Sequence, residues 1–114
     1  MKIINLTKDT ILVENAAVAD NIFYRIKGLL GRKSLLPGEG LLLIPANSVH
    51  TIGMKFSLDL VFIDGNGLVL KTIEQMPPGR ISPIVKKSAA VLELNAGELK
   101  KSGTVEGDQL RYEK

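Results

Sequence analysis

Short apolar runs separated by turn residues recur along the chain and predict a protein built mainly from β-strands. The first two runs, Lys2–Asn5 and Thr10–Val13, are rich in β-branched residues and flank the turn-forming segment Thr7–Asp9. Two such runs joined by a short polar turn are typical of a hairpin. The chain is therefore predicted to open with a β-hairpin.

The strongest hairpin signal lies near the middle of the chain. The segment Asp64–Gly67 consists of an Asp-Gly and an Asn-Gly pair, which tolerate the positive φ angles that tight hairpin turns demand. The runs Leu58–Ile63 and Leu68–Ile73 flank it and are predicted to be its two strands.

The remaining apolar runs predict three more strands and one short helical piece. Turn residues and prolines bound these segments, and the Pro-rich stretch before the sixth strand predicts a long surface loop. The predicted strands are Leu41–Ile44, Ala89–Leu94 and Gln109–Tyr112, the helical turn is Glu98–Lys101, and the loop is Pro77–Lys87.

One segment has helical rather than strand periodicity. Asp20 is a good N-cap residue, and Gly31 suits the left-handed position that ends a helix. Between them the apolar residues recur at a period near 3.6. These residues are Ile22, Phe23, Ile26, Leu29 and Leu30.

About seven short strands with one main helix in the N-terminal half indicate a mainly β (α+β) protein. With 114 residues, the chain has the length of one domain, and we expect residues 1–114 to fold as a single unit. The even spacing of turns favours a compact β-barrel or sandwich-like domain over a parallel βαβ design, which would need more helices.

Composition narrows the classes of protein. Apolar residues make up 45% and charged residues 24%, as in ordinary globular proteins. The chain has no cysteine, which excludes disulfides, thiolate zinc sites and iron–sulfur ligation. No apolar stretch is long enough for a signal-peptide core or a membrane span. We therefore expect a cytoplasmic protein without a membrane span.

The charge pattern argues against nucleic acid as a partner. The net charge is only +3, and glutamates follow within a few residues of the basic pairs Lys86-Lys87 and Lys100-Lys101. The chain has three phenylalanines and two tyrosines to stack on bases. Nucleic-acid surfaces are usually denser in basic and aromatic residues. We expect these lysines to form solvated faces.

Several motifs in order resemble a known family. They are Arg25–Arg32, Val49–Phe56, Leu58–Asp64, Val91–Gly97 and the pair Gly107-Asp108. Together they are similar to the bacterial and archaeal family numbered 192 among the domains of unknown function. The resemblance covers nearly the whole chain and implies a compact, mainly β single domain, but it implies no activity.

Two features seen in members of that family are not expected in this chain. Many members carry a leader or lipid anchor, which we do not expect here. Some members also place a cysteine shortly before the histidine, where this chain has Ala46–Ser48. A thiol or metal role that depended on that cysteine is therefore not expected.

The densest cluster of chemically useful groups surrounds His50, the only histidine. A structural role, ligand binding and catalysis all remain open for it. Catalysis would need an orienting carboxylate, such as Asp59, and a hydroxyl nucleophile from a nearby serine or threonine. Metal binding with Met54 would need a bend, because four residues of extended strand span about 13 Å. Thr51 and Lys55 complete the candidate ligand-binding cluster.

Arg25 and Arg32 lie seven residues apart, a spacing that places two side chains on one side of a continuing helix. They could together hold a carboxylate or phosphate. The alternative, which we prefer, is that one or both arginines form ion pairs that attach the helix to the sheet. The candidate acids for those pairs are Asp59, Glu93 and Asp108.

The leading hypothesis is a non-catalytic binding or accessory domain for a small anionic ligand or a protein partner. The second is a small hydrolase-like enzyme that uses His50 and Asp59, and the third is metal binding through His50 and Met54. The sequence has no phosphate-binding glycine loop, paired metal histidines or nucleophile elbow, so we predict no cofactor. The oligomeric state stays open.

Overall fold

The computed structural model describes residues 1–21 and 32–114, and within these ranges eight strands and one short helix form two sheets. This confirms the mainly β class. The sheets form no closed barrel in the described ranges, so the sandwich-like alternative is the better description. The elements are β1 Lys2–Asn5, β2 Thr10–Val13, β3 Asn15–Ala19, β4 Glu39–Leu43, β5 Leu58–Ile63, β6 Val69–Met76, β7 Ala90–Asn95, α1 Glu98–Ser102 and β8 Leu110–Glu113.

The smaller sheet joins the two ends of the chain. Its strand order is β2-β1-β8, and both pairings are antiparallel. Asn5 on β1 is fully buried, and its amide donates to Asp108 Oδ2 at 2.9 Å and to Thr104 Oγ1 at 3.0 Å. Lys8 adds an ion pair to Asp108 at 2.9 Å. The opening hairpin is thereby attached to the segment before β8.

The larger sheet has the order β3-β4-β7-β5-β6. Its pairings are antiparallel except that β3 runs parallel to β4. The strand β3 was not predicted, because its sequence Asn-Ala-Ala-Val-Ala has little β-propensity. The helix predicted between Asp20 and Gly31 falls on residues 22–31, outside the described part of the chain.

Both faces of the larger sheet are apolar, which explains why every residue of β5 is buried. Two core clusters lie on opposite faces. The cluster between the two sheets contains Ile3, Leu12, Val13, Ala16, Leu42, Val61, Ile63, Val69, Ala90, Leu92, Leu94, Leu99 and Leu110. The second cluster contains Ala19, Leu35, Leu41, Leu43, Val49, Met54, Leu58, Leu60, Phe62, Met76 and Val91.

The Asp64–Gly67 turn joins β5 and β6 as predicted. Asp64 Oδ1 accepts from the backbone N–H groups of Asn66 at 2.8 Å and Leu68 at 2.9 Å. Gly67 has a φ of 84° and lies so close to β8 that an added Cβ would sit 2.7 Å from the carbonyl oxygen of Leu110. Glycine is therefore required at position 67.

Candidate functional site

The segment that contains His50 pairs with the predicted loop after β6. The N–H of Ser82 donates to the carbonyl of Val49, and the N–H of Thr51 donates to the carbonyl of Arg80, both at 2.8 Å. His50 and Ile81 thus face each other in an isolated antiparallel bridge. We call residues 47–56 and 77–87 together the loop surface.

Thr51 holds the loop surface together from inside. Its side chain is fully buried, and its hydroxyl donates to the carbonyl of Pro77 at 2.7 Å and accepts from the N–H of Arg80 at 2.9 Å. Its carbonyl accepts from the N–H groups of Met54 at 3.0 Å and Gly79 at 2.9 Å. Thr51 therefore fixes the backbone around His50, and its hydroxyl is already committed to that role.

The two segments turn alternate side chains inward and outward, as strands do. Val49 and Thr51 are buried, whereas His50 is exposed and Ile52 is 53% exposed. On the partner segment Ser82 is buried while Ile81 is 73% exposed, and Ile84 nearby is 70% exposed. Three isoleucines and the histidine consequently lie on the outside of the loop surface.

The loop surface is basic as well as apolar. It contains four cations, Lys55, Arg80, Lys86 and Lys87, all of them exposed, and no aspartate or glutamate. Within the described ranges none of the four forms an ion pair. These four charges exceed the net charge of the whole chain, which is +3, so the rest of the molecule is slightly negative. The positive charge is concentrated here.

Asp59 does not contribute to the loop surface and instead serves the fold. It is fully buried at the start of β5, and its Oδ1 accepts from the N–H of Gln75 at 2.8 Å. Its Oδ2 accepts from the N–H groups of Gly97 and Leu99, both at 3.0 Å, at the beginning of α1. Three backbone donors thus occupy both oxygens of the carboxylate, which is committed to the backbone rather than to His50. The structure shows no hydrogen bond between Asp59 and His50 in the part it describes.

Met54 and Lys55 point to different environments. Met54 is 8% exposed and belongs to the second core cluster, while Lys55 is exposed. The described residues contain no group of three or more histidine, aspartate or glutamate side chains placed to hold a metal ion. Metal binding through His50 and Met54 therefore gains no support from this arrangement.

The predicted ion pairs of Arg32 need correction. Arg32 forms its ion pair with Glu39, at 3.0 Å, and not with Asp59, Glu93 or Asp108. The backbone N–H of Leu36 and then Arg32 hold the pKa of Glu39 below its ordinary value. The carboxylate of Asp108 pairs instead with Lys8.

Asp108 itself sits in a hydrogen-bonded environment. Burial opposes its ionisation, but hydrogen bonds from Asn5, Lys8 and the backbone of Val105 outweigh that effect and lower its pKa. Arg25, the other predicted arginine, lies outside the described residues.

Glu93 is a notable residue that the sequence indicated only as an arginine partner. It lies on β7, the middle strand of the larger sheet, between Leu41 and Leu60 on the neighbouring strands, and is 5% exposed. It has no hydrogen bond or ion pair to any side chain in the described ranges. Burial raises the pKa of Glu93 to about 7. The signal in the sequence was a single acid within the apolar run Val91–Leu94.

A cavity of about 430 Å³ lies at a different place, between β2, the turn at Pro37-Gly38 and α1. None of the predicted site residues that the structure describes lines it. The predicted residues are therefore not gathered around this cavity. His50, Thr51 and Lys55 share the loop surface, and Asp59 and Arg32 lie elsewhere.

No helix among the described residues is long and apolar enough to cross a membrane.

Comparisons with known proteins identify the fold of the chain but not its activity. A solved structure of a protein of unknown function from Novosphingobium aromaticivorans superposes with a TM-score of 0.86 at 21% identity, covering 98% of this chain and 84% of that one. A protein from Sinorhizobium meliloti that is proposed to be a transcription regulator superposes with a TM-score of 0.82 at 26% identity, covering 96% and 89%. No curated protein matches the chain significantly. The model of DUF192, a family described as uncharacterised, matches residues 3–112.

Proposed function

This chain belongs to the DUF192 family, and from that premise we propose that it is a non-catalytic binding or accessory domain that holds an anionic partner on the loop surface. One observation carries the proposal. Three exposed isoleucines and four unpaired cations lie on two segments without a single acidic residue. Surfaces that are both apolar and of one charge sign are typical of interaction sites.

The arrangement of the other candidate groups supports binding over catalysis. A histidine-based hydrolase needs a carboxylate or carbonyl to orient the imidazole. The carboxylate of Asp59, the acid assigned that role, instead accepts three backbone hydrogen bonds at α1 and β6. Thr51, the hydroxyl residue next to His50 in the sequence, is also committed to the backbone.

The same surface favours a macromolecular partner over a small anion. A small anion would neutralise one or two cations but leave Ile52, Ile81 and Ile84 exposed to water. A partner with a surface of its own can cover these side chains, and burial of apolar area supplies most of the free energy of association. The loop surface has no exposed phenylalanine, tyrosine or tryptophan, because Phe56 is half-buried, and the imidazole of His50 alone is a poor platform for stacking successive bases.

The test is an NMR titration of the isotope-labelled chain with inorganic polyphosphate. This polyanion tests for anion binding without assuming that the partner is a protein. We expect chemical-shift changes at the backbone amides of the loop surface, with weaker binding as salt is raised. The double variant Lys86→Gln/Lys87→Gln should reduce the changes, whereas Lys100→Gln/Lys101→Gln should not. Both pairs are exposed and carry the same charge, so they are matched. Shifts that map to α1 instead, or equal effects of the two variants, would contradict the proposal.

A further inference from the structure

We infer that the anionic partner is a protein, which presents an acidic segment with apolar side chains to the loop surface. This inference rests on the proposed function and names the class of partner. It follows from three properties of the loop surface: its chemistry, its rigidity and the distribution of its charges.

The chemistry requires a partner that is apolar and acidic at once. Ile81 and Ile84 are the most exposed isoleucines described, and they flank Pro83 on one short segment. Arg80 precedes this pair directly, and Lys86 and Lys87 follow it within three residues. An apolar side chain of a partner could contact the isoleucines while its neighbouring carboxylates meet these cations.

The rigidity favours a partner of defined shape. The backbone of the loop surface is fixed by the hydrogen bonds of Thr51 and by two bonds between Val49 and Ser82, at 2.8 and 2.9 Å. Val85 also donates to the carbonyl of Asn47 at 2.8 Å. A preorganised surface loses little conformational entropy on binding, which improves affinity for a partner with complementary shape. A fluid bilayer, whose headgroups rearrange freely, gains little from fixed positions.

The charge distribution also argues against a lipid surface. Lipid-binding segments usually concentrate about four to eight basic residues in one contiguous cluster. Here Lys55, Arg80 and the Lys86-Lys87 pair are separated in the sequence. An acidic protein segment matches such spaced charges better.

The experiment selects short random peptides displayed on phage against the intact wild-type chain. We expect the selected peptides to combine aspartate or glutamate with aliphatic or aromatic residues. The dissociation constant of a synthetic selected peptide should rise about tenfold or more for Ile81→Ser/Ile84→Ser and for Lys86→Gln/Lys87→Gln. Fluorescence polarisation measures the constant, and circular dichroism with thermal melting verifies that each variant is folded.

Variants outside the loop surface provide the controls. Ile11 and Val105 are the exposed apolar pair used here; at 47% and 51% they are less exposed than Ile81 and Ile84, at 73% and 70%, so Ile11→Ser/Val105→Ser removes a smaller but similar kind of apolar surface. This double variant and Lys100→Gln/Lys101→Gln should leave the dissociation constant within about twofold of wild type. Equal losses in test and control variants would overturn the inference.

Two further probes separate this inference from the proposed function. One is phosphatidylcholine vesicles that contain phosphatidylserine, and the other is duplex DNA. Suppose vesicles, DNA or polyphosphate bind at the loop surface, but the selection returns only neutral or basic peptides, or no peptide at all. The inference is then wrong and the proposed function stands. If no probe binds there, both are wrong.

Discussion

The carboxylate of Asp59 stabilises the fold, although its position near His50 in the sequence suggested a role in a functional site. Its carboxylate accepts from Gln75 on β6 and from Gly97 and Leu99 at the start of α1. Gln75 has a φ of 52°, an unusual value for a residue other than glycine, so this hydrogen bond also supports a local irregularity of the strand. A buried acid can thus join three elements without any ligand.

Replacing Asp59 by asparagine should therefore destabilise the protein. Whichever way the amide turns, its NH₂ group would face at least one backbone N–H that now donates to the carboxylate. We expect Asp59→Asn to lower the free energy of unfolding by about 2–4 kcal/mol. Urea denaturation followed by circular dichroism measures the change.

The matched control is Asp9→Asn, because Asp9 is exposed and has a φ of 55°, which asparagine tolerates well. It should change the stability by less than about 0.5 kcal/mol. A stability of Asp59→Asn equal to that of wild type would mean that the three hydrogen bonds contribute nothing.

At the scale of elements, the hairpin between β5 and β6 shows which parts of the fold local sequence determines. The turn needs Asp64 as an acceptor and glycine at position 67, and both requirements are visible in four consecutive residues. Gly67→Ala should lower the free energy of unfolding by about 1–3 kcal/mol, because alanine is strained at positive φ and its Cβ would contact Leu110.

Gly65→Ala is the control in the same turn, since nothing lies within 4 Å of an added Cβ there and its φ is not in the left-handed region. Chemical denaturation of the two variants should separate them clearly. If both lose the same stability, the close approach of β8 to the turn is not what requires glycine.

Elements whose partners are distant in sequence were harder to predict. β3 pairs with β4, and Asn15 is in register with Glu39, 24 residues away, so the pairing leaves no local signal. The pairing of His50 with Ile81 likewise joins a predicted loop to a segment for which no element was predicted. The sequence therefore located the polar cluster at His50 but not the isoleucines opposite it. It also suggested Arg32 as a partner of distant acids, whereas Arg32 pairs with Glu39 seven residues away.

At the scale of the whole molecule, the larger sheet carries one buried acid at its centre. Glu93 lies on β7, which has neighbours on both sides, and its face of the sheet otherwise consists largely of the second core cluster. Hydrophobic burial on both faces is what makes this sheet the centre of the fold, and an ionised carboxylate there is costly. The stability of the entire molecule should consequently depend on the protonation of Glu93.

Because burial raises the pKa of Glu93 from 4.5 to about 7, the folded state binds this proton more tightly than the unfolded state. For this group alone, the free energy of unfolding should be highest below pH 4.5. It should decrease by up to about 3 kcal/mol as the pH rises through about 7, because Glu93 then loses its proton in the folded state. The pKa values of Asp108 and Glu39 are lowered, so their contributions are lost only in acid, below this window.

Urea denaturation of wild type and Glu93→Gln at several values between pH 5 and pH 8 tests this dependence. Glutamine removes the charge at nearly constant volume, so the variant should lose most of the pH dependence and be the more stable protein at pH 8. Glu106→Gln, which neutralises an exposed glutamate, should keep the wild-type slope. If wild type is as stable at pH 8 as at pH 5, or if Glu93→Gln retains the full slope, burial does not penalise the ionised carboxyl of Glu93 as proposed.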